Sequence, residues 1–121
     1  MADSDPRSKK FRLRPHQIRP VATGRGACIA TDRITVDGHP VCYAYREAPD
    51  FDVDSGWRFF AGDESQEYVD NPTNSTIYDI NTIANYDPDI VAILDAPARA
   101  AYQRSGRGEQ FATVPYPAEP Y

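Results

Sequence analysis

The chain has 121 residues, of which 40% are hydrophobic and 26% are charged, and its formal net charge is −5. This length suits one domain with a single modest core, and no apolar run approaches the roughly 20 residues needed to cross a bilayer. The first 19 residues also lack the apolar run of a secretory signal, so we predict a cytoplasmic protein.

Charge is divided unevenly along the chain. Residues 1–25 contain seven Lys or Arg and two Asp, a net charge of +5, so residues 26–121 carry −10. With three prolines and little periodicity, residues 1–25 are predicted to form a basic, flexible arm, in which residues 11–14 could add one short strand. Three arrangements of the arm are open: it binds nucleic acid by counterion release, it stays solvated, or it folds back on the acidic body.

The first predicted elements of the body are two strands. Ala27 to Thr31 is a short apolar run, and residues 41–46 alternate at the period of a strand. The Asp37-Gly38 pair between them is typical of a hairpin turn, so we predict that these strands pair antiparallel.

The two cysteines, Cys28 and Cys42, lie in these predicted strands. A turn at Asp37-Gly38 places their sulfurs too far apart to bridge, whereas a longer loop centred near Thr35 places them opposite each other. Two cysteines in a cytoplasmic protein are typical of free, partly buried thiols.

A third strand is predicted from Gly56 to Ala61. Trp57 and Phe59 lie on one face of it, and Arg58 and Phe60 lie on the other. Apolar rings on both faces indicate a central strand that is covered at least in part on each side.

Helices are predicted in the following third of the chain. Residues 63–70 form a short polar helix that ends at Asn71-Pro72, and a turn over residues 74–76 follows. Asp79 caps the next helix, which begins at Ile80. Asp87-Pro88-Asp89 has the residues typical of a helix start, and that last helix ends near Asp95 because Pro97 cannot continue it.

Residues 100–104 and 109–114 flank a glycine-containing turn and predict a final hairpin, and residues 115–121 form a tail rich in proline and tyrosine. The elements predict a single α+β domain over residues 26–114, with an antiparallel sheet of about four or five strands and two short helices packed on one face. The predicted core consists of large apolar side chains from the third strand and the last two helices: Trp57, Phe59, Phe60, Ile80, Ile83, Ile90, Ile93 and Leu94.

The reactive side chains form no recognisable catalytic motif. His16 lies in the arm, and His39 lies three residues from Cys42, a spacing that puts two side chains on opposite faces of a strand. The alternate acids from Asp50 to Asp54 resemble the start of a calcium loop, but the turn glycine and the bidentate acid of such a loop are missing. We therefore predict no enzyme activity, no cofactor and no metal site.

Acidic residues are concentrated between positions 47 and 70, where eight acids stand against one base, Arg58. Such a surface attracts basic partners quickly and disfavours acidic ones, and an exposed tyrosine adds an anchor. We predict that partner binding uses seven of these acids and one tyrosine: Glu47, Asp50, Asp52, Asp54, Asp63, Glu64, Glu67 and Tyr68.

Several motifs resemble those of one bacterial family. They are Tyr43-x-Tyr45-Arg46-Glu47-x-Pro49, Asp54-Ser55-Gly56-Trp57-Arg58-Phe59-Phe60-x-Gly62-Asp63-Glu64, Glu67-Tyr68, Asn71-Pro72 and Ile77-Tyr78-Asp79-x-Asn81-Thr82-Ile83-Ala84-Asn85-Tyr86-Asp87-Pro88. From about Cys28 to Gln110 the chain resembles the immunity protein 33 family, whose bacterial domains are linked to polymorphic toxin systems. The resemblance implies a small cytoplasmic protein that binds and neutralises a toxin.

Two functions therefore compete. The favoured one is a non-enzymatic immunity protein whose acidic surface covers the basic site of a cognate toxin, such as a nuclease cleft, without any role for a membrane. The alternative is an accessory or regulatory domain that binds nucleic acid through residues 1–25, or a small ligand near residues 57–60.

Overall fold

A computed structural model describes residues 9–118, which form one six-stranded sheet with short helices. The strands are β1 (Ala27–Thr31), β2 (Tyr43–Arg46), β3 (Asp54–Phe60), β4 (Ser75–Asp79), β5 (Ala101–Gln103) and β6 (Ala112–Thr113). The α-helices are α1 (Asp32–Thr35), α2 (Gln66–Asp70) and α3 (Ile80–Tyr86). Short 3₁₀ helices cover Pro15–Gln17, Pro72–Asn74 and Pro88–Ile93.

The strand order across the sheet is β4-β1-β3-β2-β5-β6. β1 and β3 run parallel, and every other pair of neighbours runs antiparallel. The α+β class is confirmed, and the described part of the chain has six strands where four or five were predicted. The additional strand is β4, which occupies the predicted turn at residues 74–76 and pairs along its whole length with β1.

The predicted hairpin between β1 and β2 is wrong, because β3 lies between these two strands. Asp37 and Gly38 instead follow the helical turn α1, where the amide of Gly38 donates to the carbonyl of Ile34 at 3.2 Å. Gly38 has φ 78°, a conformation that suits the end of a helix as well as a hairpin turn. The same dipeptide signal therefore fits both structures.

The intervening strand also separates the two thiols. Strands are about 4.8 Å apart, so two strands on either side of a third are about 9 to 10 Å apart, beyond the reach of a disulfide. Cys28 and Cys42 are free and buried, which agrees with the prediction of two free thiols. Burial raises the pKa of both thiols above the ordinary value.

The main core lies between one face of the sheet and the helices that follow β4. The rings of Trp57 and Phe59 stack with their centroids 5.8 Å apart, and the indole Nε1 donates to the carbonyl of Leu94 at 3.2 Å. All eight predicted core residues are buried. Seven belong to this cluster, whereas Phe60 belongs to a second cluster on the opposite face.

Both predicted caps are confirmed. The carboxylate of Asp79 accepts from the amide of Asn81 at 2.8 Å, and that of Asp87 accepts from the amide of Asp89 at 3.1 Å. The second segment is a 3₁₀ helix that ends at Ile93, close to the predicted end. These caps fix how the chain enters the helical layer that covers the main core.

Residues 9–25 lie along the domain in the structure. The amides of Val21 and Ala22 both donate to Asn81 Oδ1, at 2.7 and 2.8 Å, and Lys9 Nζ donates to Asp32 at 2.9 Å. The predicted strand at residues 11–14 does not form, although the amide of Arg12 donates to the carbonyl of Thr35. These contacts favour the alternative in which the arm folds back, and its flexibility stays a prediction.

The tail begins on the opposite side of the sheet, where the ring of Tyr116 packs edge-on against Tyr45 with centroids 5.7 Å apart. The guanidinium of Arg99 also lies over the Tyr116 ring, 4.5 Å from its centroid. Residues 119–121 of the predicted tail lie outside the described residues. Within residues 9–118, each helix is too short or too polar to cross a bilayer.

Candidate functional site

The face of the sheet that points away from the main core carries the second cluster. Because side chains alternate along a strand, Phe60 lies on the face opposite Trp57. Its ring stacks on that of Tyr45, with centroids 5.5 Å apart, and Val69 of α2 packs against the pair. This cluster covers only part of the face.

Beside the second cluster lies a cavity of about 290 Å³. Its floor is the sheet, and its walls are the loop after β2 and the chain from α2 to β4. Its lining combines apolar residues, three acids and one base: Ile29, Tyr45, Phe59, Phe60, Val69 and Pro72; Glu47, Asp50 and Asp70; and Arg58.

The base in this cavity is held by two carboxylates. Arg58 is only 3% exposed; its Nε donates to Glu47 at 2.6 Å, and its two terminal nitrogens donate to the two oxygens of Asp54 at 2.9 and 2.7 Å. Nη1 also donates to the carbonyl of Trp57 at 3.1 Å. Four of the five N–H groups of the guanidinium are thus used within the protein, and its charge is neutralised locally.

Two opposing effects act on the pKa of the Asp54 carboxyl. Burial alone would raise the pKa of this carboxyl, but hydrogen bonds from Arg58 and from the amides of Asp50 and Gly56 lower it to about 2. Burial disfavours the charged form of Arg58. The hydrogen bonds to Asp54 and Glu47 favour the charged form more strongly, so they raise the pKa of Arg58. The pair is charged at neutral pH and organises the loop, since Asp54 accepts from the Asp50 amide at 2.7 Å.

The structure separates the predicted partner-binding residues into groups. Glu47 and Asp50 line the cavity, and Asp54 lies buried behind it. Asp52 on the same loop and Glu67 on α2 are exposed.

Three other predicted residues lie outside this cavity. Asp63 is exposed and forms an ion pair with Arg33 at 2.6 Å, and the bonds from Arg33 lower its pKa. Glu64 accepts from the hydroxyl of Thr31 at 2.5 Å and from two backbone amides, so it stabilises the turn after β3. Tyr68 is half-buried, and burial together with nearby carboxylates raises its pKa to about 12.

The described residues contain no group of three or more His, Cys, Asp or Glu side chains that could hold a metal ion. The alternate acids of the loop have a different arrangement from a calcium site. Asp54 accepts from the amides of Asp50 and Gly56, at 2.7 and 2.9 Å, and from Arg58. Its oxygens therefore bind the chain's own donors.

Almost the whole sheet and both cavity walls lie in a part of the chain that matches a known domain family. Residues 28–114, more than half of the chain, match the immunity protein Imm33 domain. The chain belongs to the Imm33 family. The matched region of this Imm33 protein begins at the second residue of β1 and ends just after β6, so it includes β2 to β6, most of β1 and both walls of the cavity. No curated protein and no solved structure matches the chain.

Membership of the Imm33 family indicates a toxin-neutralising role and a toxin partner in general. Sequence reasoning missed two features of the site in this Imm33 protein. Asp70 lines the cavity, whereas the sequence predicts no role for it beyond adding to the negative charge of residues 47–70. Alternation along β3 predicts the correct face for Arg58, but its pairing with Asp54 and Glu47 depends on how the loop between β2 and β3 folds.

Proposed function

We propose that this Imm33 protein is a non-enzymatic, cytoplasmic immunity protein that binds a cognate toxin and thereby neutralises it. The binding surface in this proposal is the acidic face, which we define as the cavity and the exposed acids around it: Glu47, Asp50, Asp52, Glu67 and Asp70. The observation that carries the proposal is the concave, acidic side of the sheet in a domain of an immunity protein family.

Charge supports this surface. Asp50, Asp52, Glu67 and Asp70 are all exposed, and the one base among the lining residues, Arg58, is neutralised by its own carboxylates. A surface of one sign speeds the encounter with a partner of the opposite sign and disfavours partners of like charge. The toxin expected here is basic at its contact site, as a nuclease cleft is, because such clefts bind phosphates.

Apolar side chains near the acids supply the rest of an interface. Val53, on the loop between β2 and β3, is 69% exposed, and Ile77 on the edge strand β4 is 55% exposed. Ile77 lies directly opposite Ile29 in the sheet register, and Ile29 lines the cavity. Interfaces gain most of their affinity from a few apolar or aromatic anchors surrounded by polar residues, and this face has both.

The test is co-expression with a toxin domain encoded beside the gene. The wild-type protein is expected to restore growth and to form a stable complex with the purified toxin. The variant Asp50→Lys/Asp70→Lys is expected to lose both effects, because it reverses the charge beside the cavity. The matched control is Asp95→Lys/Glu109→Lys, which makes the same change in net charge at exposed positions away from the acidic face.

The proposal fails in two distinguishable ways. If the wild type neither protects against nor binds any neighbouring toxin, the immunity role is wrong. If the acidic-face variant and the control protect equally well, the toxin binds elsewhere and the acidic face has no part in neutralisation.

A further inference from the structure

We propose that the cavity of the acidic face receives one lysine or arginine side chain of the toxin, an inference that rests on the proposed function for the identity of the partner. The size of the cavity supports a single side chain. At about 290 Å³ it lies just below the roughly 300 to 1,000 Å³ found for pockets that bind small molecules. It can accommodate one extended side chain, and it is too small to enclose a helix.

The charges around the cavity select a cation. Glu47, Asp50 and Asp70 line it, and the guanidinium of Arg58 is already paired with Glu47 and Asp54. Glu47 binds Arg58 through Oε2 alone, and its Oε1 accepts no hydrogen bond within residues 9–118. A positively charged group gains favourable interactions here, whereas a phosphate or carboxylate is repelled.

The apolar part of the lining matches the rest of such a side chain. Ile29 and Val69 offer surface for the methylene groups of lysine or arginine, which bury their stems while the charged head stays near acids and water. Tyr45 and Phe60, which stack on each other and are almost fully buried, add apolar surface to the floor of the cavity. A lining of acids alone would favour a hydrated ion, and this mixture favours an amphipathic side chain.

The protein's own described cations lie elsewhere. Lys9 binds Asp32 and the carbonyl of Thr73, Arg25 pairs with Asp95, and Arg33 pairs with Asp63. Apart from Arg58, the residues that line the cavity include no base. Within the described part of the chain, the protein therefore does not fill the cavity with a side chain of its own arm.

The experiment is an NMR titration of the ¹⁵N-labelled full chain with three small probes. N-acetyl-arginine methylamide and N-acetyl-lysine methylamide carry the predicted cations, and N-acetyl-citrulline methylamide has nearly the same shape without the charge. We expect saturable, millimolar shifts for the amides of Ile29, Val69 and Asn74 with the two cationic probes. The neutral probe is expected to bind at least about tenfold more weakly.

Two variants make the test specific to the cavity. Asp50→Asn/Asp70→Asn removes two exposed acids that line it and is expected to weaken the cationic probes by about tenfold. Asp52→Asn/Glu67→Gln is the matched control, since it removes one acid from the same loop and one from the same helix, neither of which lines the cavity. The control is expected to bind the probes like the wild type.

Equal binding of the arginine and citrulline probes, equal weakening by both variants, or no saturable shift at the cavity would overturn the proposal. None of these outcomes bears on growth protection, so failure of the cavity proposal leaves the immunity role intact. Conversely, if the cationic probes bind as expected and no neighbouring toxin is neutralised, the cavity is a site for a basic side chain and the toxin assignment is wrong.

Discussion

A single carboxylate, Asp54, connects the loop, the sheet and the cavity. Its side chain is fully buried, pairs with both terminal nitrogens of Arg58 and accepts from two backbone amides. Its pKa in the folded protein is about 2, against an ordinary value of 3.8. The unfolded chain therefore takes up the proton first as the pH falls, and the folded state loses stability in that range.

We expect this residue alone to make the free energy of unfolding fall by about 2 kcal/mol between about pH 5 and pH 2. The contribution is fully present above about pH 5 and disappears as the pH passes through the folded pKa. Urea denaturation at a series of pH values measures it. In Asp54→Asn the protein is less stable at neutral pH by about 3 kcal/mol, and this part of the pH dependence is absent.

The control for that experiment is Asp52→Asn, which changes an exposed acid on the same loop. It should retain both the stability and the acid-induced loss of the wild type. An Asp54→Asn protein with unchanged stability and an unchanged pH profile would show that the pair with Arg58 does not form in solution.

At the level of the elements, the approach of β3 to the end of β2 depends on a glycine. Gly56 has φ 89°, and a Cβ atom at this position would lie 2.0 Å from the carbonyl oxygen of Glu47. The Gly56 carbonyl accepts from the Glu47 amide at 3.0 Å. Any side chain here must push apart two backbones that are hydrogen bonded to each other.

Gly56→Ala is therefore expected to destabilise the protein by about 3 kcal/mol, from the strained backbone and the overlap together. Thermal or urea unfolding measures the loss. Gly106→Ala is the matched control, because a Cβ there meets nothing within 4 Å and its φ is not positive. If the two alanine variants are equally stable, the close approach of Gly56 to Glu47 is wrong.

The arm is held against α3 by the side chain of one asparagine. Asn81 on α3 accepts from the amides of Val21 and Ala22 and donates to the carbonyl of Arg19 at 2.9 Å. Asn81→Ala removes these bonds and leaves the two amides without their acceptor. Hydrogen exchange at residues 19–22 is then expected to accelerate on the order of tenfold.

Thr82→Ala is the control, since Thr82 is the next residue on α3 and its side chain makes no hydrogen bond among residues 9–118. It should leave exchange at residues 19–22 unchanged. Fast exchange at these amides already in the wild type would show that the arm is flexible, as the composition of residues 1–25 predicts, and that the docked arrangement is rarely populated.

Local chemistry explains which elements could be predicted from the sequence. The caps Asp79 and Asp87 act within two residues of themselves, so their signals are complete in the sequence. The alternation of β3 is also local, and it places the large rings on the correct faces. The pairing of β1 is not local: its neighbours are β3 and β4, and no short pattern specifies a partner so far along the chain.

The same distinction applies to the site. The density of acids from residue 47 to 70 is visible in the sequence, but the role of each acid depends on its three-dimensional neighbours. Asp54 and Glu64 use their oxygens inside the fold, whereas Asp50 and Asp70 come from separate elements to line one cavity. A count of charges cannot separate acids that stabilise the fold from acids that are exposed to a partner.

At the scale of the whole molecule, the opposite charges of the arm and the body argue against the alternative function, in which the arm binds nucleic acid. Lys9 and Arg25 of the arm are ion-paired with acids of the body, and Arg12 donates to the carbonyl of Val36. Lys10, Arg14 and Arg19 are exposed and form no ion pair within the described residues. Three such cations, on a protein of net charge −5, offer few phosphate contacts, and the body repels the rest of a nucleic acid.

The full chain is therefore expected not to retard single-stranded or duplex oligonucleotides in a gel at about 150 mM salt. A synthetic peptide of residues 1–25, with its net charge of +5, is the informative control. It should bind the same oligonucleotides at about 50 mM salt, because binding by counterion release requires the charges without the acidic body. Retardation by the full chain that disappears in Lys10→Gln/Arg14→Gln/Arg19→Gln would instead establish the nucleic-acid function. In that case the arm would have to bind where the negative field of the body is weak. The body carries a net charge of −10 over residues 26–121 and repels phosphates that approach it.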